Sequence, residues 1–258
     1  MLHALALAGL MLFAAQTKDP APVEKARVDQ AVAALKLAFE KGAPKERAAT
    51  IVEHQEVVDP AVIALITKAL KDSDPAVRDA AAQALRFARH ADALTALQDA
   101  LKRELKVGKN LEERIKLLKC VGQHQSATSI PLFIDDPFRH PDGRVVEAQV
   151  FALANTRTER ALEEIVGMMR TASRQHVQNH MATFRLALIV VTGVDQGLSQ
   201  DAWMKWWNDN KQRIQIPAQM PALPKEMLDR WNGYWGLEYV RARVKKRGER
   251  GDDPESGR

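Results

Sequence analysis

The residues of this chain that could do chemistry are few, and their spacing narrows what that chemistry is. The stretch Ile134 to Gly143, IDDPFRHPDG, gathers Asp135, Asp136, His140 and Asp142, all donors a divalent metal would accept. Their spacing matches neither a calcium loop nor a zinc ligand set, so Asp142 reads as the N-cap of a following helix and the other acids as solvated. His54, His90 and His124 recur at offsets of 36 and 34 (54 to 90, 90 to 124). A ladder of imidazoles could ligate metal, but each falls near a helix C-terminus, where the dipole favours histidine. Cys120 is the only cysteine, lies within an amphipathic pattern without a neighbouring base, and reads as a small buried hydrophobe. There is no glycine-rich phosphate loop, Cys-x-x-Cys pair, Gly-x-Ser-x-Gly elbow or His-Glu-x-x-His. No catalytic residue, cofactor or metal is therefore assigned.

The elements that must position these residues are helices. In DSDPAVRDAAAQAL (72–85), Asp74 can accept from the free N–H groups of a helix start and Pro75 suits the first helical position. Val77, Ala81, Ala84 and Ala88 then share one face, with side chains short enough for a neighbouring helix to come close. The device repeats: Val77, Leu111 and Val145 are 34 residues apart (77 to 111, 111 to 145), and Val177 follows after 32. The partner helices keep their own register, with Ile63, Ile66 and Leu70 recurring as Leu94, Leu97 and Leu101, then as Leu162, Ile165 and Met169. A degraded copy stands at Ile130 and Phe133. Few aromatics and a predominance of Ala, Leu, Lys, Glu and Arg agree with an all-α chain.

This pattern predicts about five helix pairs: 23–41 with 44–55, 60–71 with 75–89, 91–107 with 110–123, 127–135 with 143–155, and 159–171 with 175–192. Past Gly193, Ser199 and Asp201 start a helix that sets Trp203, Trp206 and Trp207 at i, i+3 and i+4. Such rings could stack on bases, but their spacing is that of a buried stripe, so they read as a cover for the last pair's apolar face, Met181, Phe184 and Leu188, with Trp206 at its centre. Next comes PAQMPALP (217–224), an extended strap, then two short helical stretches around 225–232 and 234–246. Trp231, Tyr234, Trp235, Leu237 and Tyr239 give that segment apolar surface to dock back on the array.

DSDPAVRDAAAQAL resembles the second-helix signature of HEAT repeats, in the subclass that bacterial proteins share with phycobilisome-lyase HEAT-like repeats. The resemblance spans roughly residues 21–193, and VTGVDQGLSQDAWMKWWNDN resembles a segment that closes such arrays in bacterial HEAT-repeat proteins. It implies an all-α solenoid of about five HEAT-like pairs (23–193) with a Trp-rich capping helix (194–215), then a strap and helices (216–247) and a disordered tail (248–258). It also implies a non-enzymatic scaffold that binds a protein partner on its concave helices, through Asp79, Gln83, Arg86, Glu113, Lys116, Glu147, Gln178 and Arg185.

Three enzyme classes share the repeat. HEAT-like deoxyhypusine hydroxylases hold di-iron through His-Glu pairs, and this chain has no His-Glu dipeptide. HEAT-like alkylpurine DNA glycosylases grip DNA on a strongly basic concave face, whereas the candidate positions here mix both signs. Bilin lyases share the family label alone. The formal net charge of +5 is matched by 241–250, which holds six basic residues against one acid. Nucleic acid is not an expected partner.

The chain opens MLHALALAGLMLFAAQ. Its apolar run, Leu2 to Ala15, is too short to span a bilayer as a helix and is followed by polar residues, which reads as a signal peptide (1–15) and a linker (16–22). The corresponding expectation is a secreted or periplasmic protein with no membrane span in the mature chain.

Overall fold

The computed structural model describes residues 25–107, 110–135, 138, 142–171 and 174–236. Among these the secondary structure is entirely helical, and most helix starts carry their own cap. Asp59 accepts from Ala61 N–H at 2.8 Å ahead of α3 (Pro60–Ala69), and Asp74 accepts from Ala76 and Val77 ahead of α4 (Pro75–Phe87). Asn110 and Asp142 do the same for α6 (Leu111–Gly122) and α8 (Gly143–Thr156). Proline at the first position costs nothing there, because its missing N–H would have had no helical partner.

The remaining helices are α1 (Lys25–Lys41), α2 (Pro44–His54), α5 (Ala91–Val107), α7 (Ile130–Phe133), α9 (Glu159–Thr171), α10 (Arg174–Thr192), α11 (Gln200–Asn210) and α12 (Lys225–Trp235). First helices stack on first helices, α1 on α3 on α5 on α7, and second helices on second, α2 on α4 on α6 on α8 on α10. The architecture is an all-α solenoid of HEAT-like pairs. Its core runs between the two layers through fully buried Leu35, Ile51, Leu85, Leu97, Leu118 and Leu188. The fourth pair is the degraded one: a single turn of 3-10 helix at Ala127–Ser129 and the one-turn α7 replace a full first helix, with Ile130 and Phe133 still buried.

The even 34-residue step gives way to an uneven one. Second-helix caps fall at Asp74, Asn110 and Asp142, steps of 36 then 32. Val77, Val145 and Val177 are fully buried, but Leu111 is the first residue of its helix and only partly buried. Long α5 lengthens one repeat and short α7 shortens the next, and the two changes cancel over the pair.

Consecutive repeats are tied by arginines that the hydrophobic pattern did not reveal. Arg47 grips Asp72 with Nε and Nη2 at 2.9 and 2.7 Å while its Nη1 donates to Gly42 O. Arg78 grips Glu113 in the same way, its Nη1 donating to Asp72 O and Ser73 O. Each fork joins one repeat's second helix to the next repeat and ties down a turn as well. Both arginines stand four residues past their helix's cap, as does Arg114, which is the sequence signal that marks them.

Thr192 and Gly193 end α10 as expected: Gly193 takes φ +76°, a conformation a β-carbon disfavours, and its N–H donates to Ile189 O at 2.8 Å. After the turn, α11 packs on α9 and α10. Trp203 and Trp207 are the buried members of its stripe; Trp206, expected at the centre, is only partly buried and meets Trp203 edge-on at 5.8 Å. The helix is rotated so that i and i+4 face inward. Trp203 Nε1 donates to Gly197 O, which fixes that rotation.

Candidate functional site: the groove across the second helices

The surface of the second helices is not empty. The chain leaves α11 through the non-helical stretch 214–224, fastened by Arg157, whose Nη2 donates to Pro217 O and, at 2.6 Å, to Gln219 O. It then lays α12 across α10, α8, α6 and α4. One helix forms here, Lys225–Trp235, ended by Gly236 at φ +65°; it runs through the break expected between the two stretches and takes in the start of the second, of which 237–246 lies outside the described residues. Trp231 and Trp235 are buried at 2 % and 1 % exposure. Phe151 of α8 is the anvil: its ring lies 5.2 Å from Trp231 and 4.8 Å, edge-on, from Tyr234. Aromatic pairs at these separations add to what burial alone contributes.

Cations hold α12 at two points. At its middle, Arg230 donates to Glu147 Oε1 at 2.5 Å and Thr183 Oγ1 at 2.8 Å, with its guanidinium over Phe151. At its C-terminus, Arg86 Nη2 donates to the carbonyl of Trp235 at 2.6 Å and to Gln123 Oε1 at 3.0 Å. A cation at the carbonyl end complements the helix dipole. Lys119 Nζ sits 4.9 Å from the centre of the Tyr234 ring, and burial lowers its pKa. Burial also pushes the Tyr234 phenol well above its ordinary value. Gly122 is required at the seat: a β-carbon there would stand 2.8 Å from Ala152 Cβ and 3.0 Å from the Trp235 ring.

The eight residues expected on the concave face are distributed over three settings. Arg86 and Glu147 lie in the groove and are engaged by α12. Asp79 and Lys116 pair across α4 and α6 at 2.9 Å, and Gln83 Oε1 stands 3.5 Å from Arg86 Nη1. Glu113 belongs to the inter-repeat fork of Arg78, Arg185 is clamped to Asp195 of the loop after α10, and Gln178 is exposed. Docking of Trp231, Tyr234 and Trp235 back on the array was legible in the sequence, while Leu237 and Tyr239 lie outside the described residues; Phe151 and Gly122, which receive the docked rings, were not legible, because both read as ordinary core.

The histidines do not form a register. His54 is eleven residues past its helix's cap, His90 sixteen and His124 fourteen, so equal spacing along the chain places them at different depths. His54 is buried, His90 Nδ1 accepts from Asp92 N–H, and His124 Nε2 bonds Leu85 O at 3.0 Å. Asp142 caps α8 as expected, while Asp136 and His140 lie outside the described residues. Among the described residues no group of three or more His, Cys, Asp or Glu is disposed to hold a metal. Burial pushes the Cys120 thiol up to about 12.

Two layers of stacked helix pairs, a shared groove and inter-repeat forks define a helical-repeat protein. The family model for HEAT repeats matches residues 31–107, from within α1 to the end of α5, a span that includes the best-formed pair, α3 and α4. A search of curated proteins gave no match.

Proposed function

We propose that this protein is a non-enzymatic scaffold that binds a protein partner along its second helices. The observation that carries this reading is α12 itself: the groove holds a helix through packed aromatic rings, an Arg230–Glu147 pair at its middle and Arg86 at its C-terminus, the grip expected of a protein-binding surface. The segment occupies the part over α4 to α10, which leaves the α2 end for a partner. There Val52 is 50 % exposed. Val52 and Gln83 stand nine residues past the caps of their helices, Ala43 and Asp74, and so on the same face.

In the same reading α11 closes the array, residues 1–15 are a signal peptide and the mature protein works outside the cytoplasm. No helix among the described residues is long and apolar enough to cross a membrane. The test is a pull-down from cell envelopes with the mature chain as bait. One envelope protein recovered by the wild type and lost with Val52→Asp supports the scaffold. Retention that depends on DNA moves the assignment to a glycosylase-like enzyme. N-terminal sequencing of the native protein should begin near Gln16; an intact Met1 or Leu2 overturns the export reading.

A further inference from the structure

Beyond the end of α12 the groove opens into a cavity of about 320 Å³, and its wall has an unusual charge balance. Arg86 is 6 % exposed, yet its described partners, Gln83, Gln123 and the Trp235 carbonyl, are all neutral, and its buried Nε has no hydrogen-bond partner. Arg89, exposed, adds a second positive charge to the lining, and among the described residues no Asp or Glu lies in it. The nearest acid along the chain, Asp92, stands 3.6 Å from the ring of His90 with its carboxylate largely in solvent. Ala91, the first residue of α5, is also in the wall, so a 17-residue helix turns its positive end towards the cavity, against the carbonyl ends of α4 and α6 that border it. Phe87 and Leu94 supply an apolar side.

A guanidinium withdrawn from water without a counter-charge is costly, and neutral carbonyls compensate it only in part. An anion entering this cavity would supply the missing charge, meet the α5 terminus and displace little water from the apolar side. We propose that the cavity between the C-terminal ends of α4 and α6 and the N-terminus of α5 is a binding site for an anionic group, a carboxylate or phosphate monoester carried on a small apolar stem. Two features set the specificity. The arginine pair demands charge, and the Phe87 and Leu94 wall favours an aromatic or short aliphatic carrier over a bare inorganic ion. This site is independent of the protein-partner reading, since it needs neither Val52 nor the open α2 end of the groove.

The experiment uses the full chain and titrates benzoate, phenyl phosphate, inorganic phosphate and neutral benzyl alcohol at constant ionic strength, read by calorimetry and by amide shifts at Ala91 and Phe87. Saturable binding of benzoate or phenyl phosphate is expected, with benzyl alcohol silent; whichever binds more tightly separates a carboxylate from a phosphate source. Arg89→Gln, an exposed change that leaves the fold intact, should weaken binding about tenfold. Arg86→Gln should abolish it, while Arg86→Lys, which keeps the charge and loses the fork, should retain part. Failure of all three anions to saturate at tens of millimolar, or equal affinity in wild type and Arg89→Gln, overturns the proposal.

Discussion

At the scale of single residues, burial decides which of several similar side chains matters. Trp203, Trp206 and Trp207 stand on one helix within five residues, but Trp203 and Trp207 are 2 % and 7 % exposed whereas Trp206 keeps one side in solvent. Deleting a large buried aromatic usually costs about 3–5 kcal/mol, so Trp203→Ala and Trp207→Ala should each destabilise by that amount and Trp206→Ala by about half or less. Denaturant melts of the three variants decide it, and equal losses at all three positions would contradict the rotation of α11. Cys120 gives a second test. With its pKa pushed up to about 12 by burial, almost no thiolate exists at neutral pH, so a thiol reagent should label the native protein only as fast as it opens, and the unfolded chain at once.

At the scale of elements, what could be read in advance was whatever is written in local chemistry. Pro75 after Asp74, the Gly193 stop and the i, i+3, i+4 rings of α11 each carry their own signal, and the helices fall where those signals place them. The uneven repeat step was hidden because a long α5 and a short α7 leave the total over two repeats unchanged. The groove site was hidden for another reason. Phe151, Ala152 and Gly122 lie on faces that would read as core in any helical array, and only the arrival of α12, distant along the chain, turns them into a docking seat. That seat predicts a coupling. Gly122→Ala puts a methyl group against Ala152 and Trp235 and should cost about 1–3 kcal/mol through overpacking. Trp235→Ala removes one of the two obstacles, so the double variant should lose measurably less than the sum of the singles. Strict additivity in that cycle would mean the Trp235 ring does not rest on α6.

At the scale of the whole molecule, a solenoid is stable only through contacts between neighbours, so its pH dependence is that of the groups that join one repeat to the next. Two kinds are present and their signs can be worked out. The Asp72 carboxyl is held below its ordinary value first by the hydrogen bonds from Arg47, then by the Asp74 N–H, and the Asp195 carboxyl first by Arg185. A carboxyl depressed on folding contributes stability that is complete above its unfolded value near 4 and disappears as pH falls through the folded value. His124 behaves differently in range though not in direction. Burial lowers its pKa, the larger effect, and its bond to Leu85 O opposes this in part, so the folded protein holds the ring neutral where the unfolded chain would protonate it. Stability from His124 is therefore full above about 6.5 and lost as pH drops below that towards the folded value. The expected profile has two descending steps, one starting near 6.5 where α4 meets α6 and one below about 4 where the forks of α2 and α10 let go. Thermal melts between pH 8 and 3 should show both. His124→Gln should flatten the upper step and leave the lower one, and Asp72→Asn should lower stability at neutral pH while shrinking the acid step. A wild-type midpoint unchanged from pH 7 to 5, or an upper step that persists in His124→Gln, would show that the α4–α6 junction is not where the first proton is taken up.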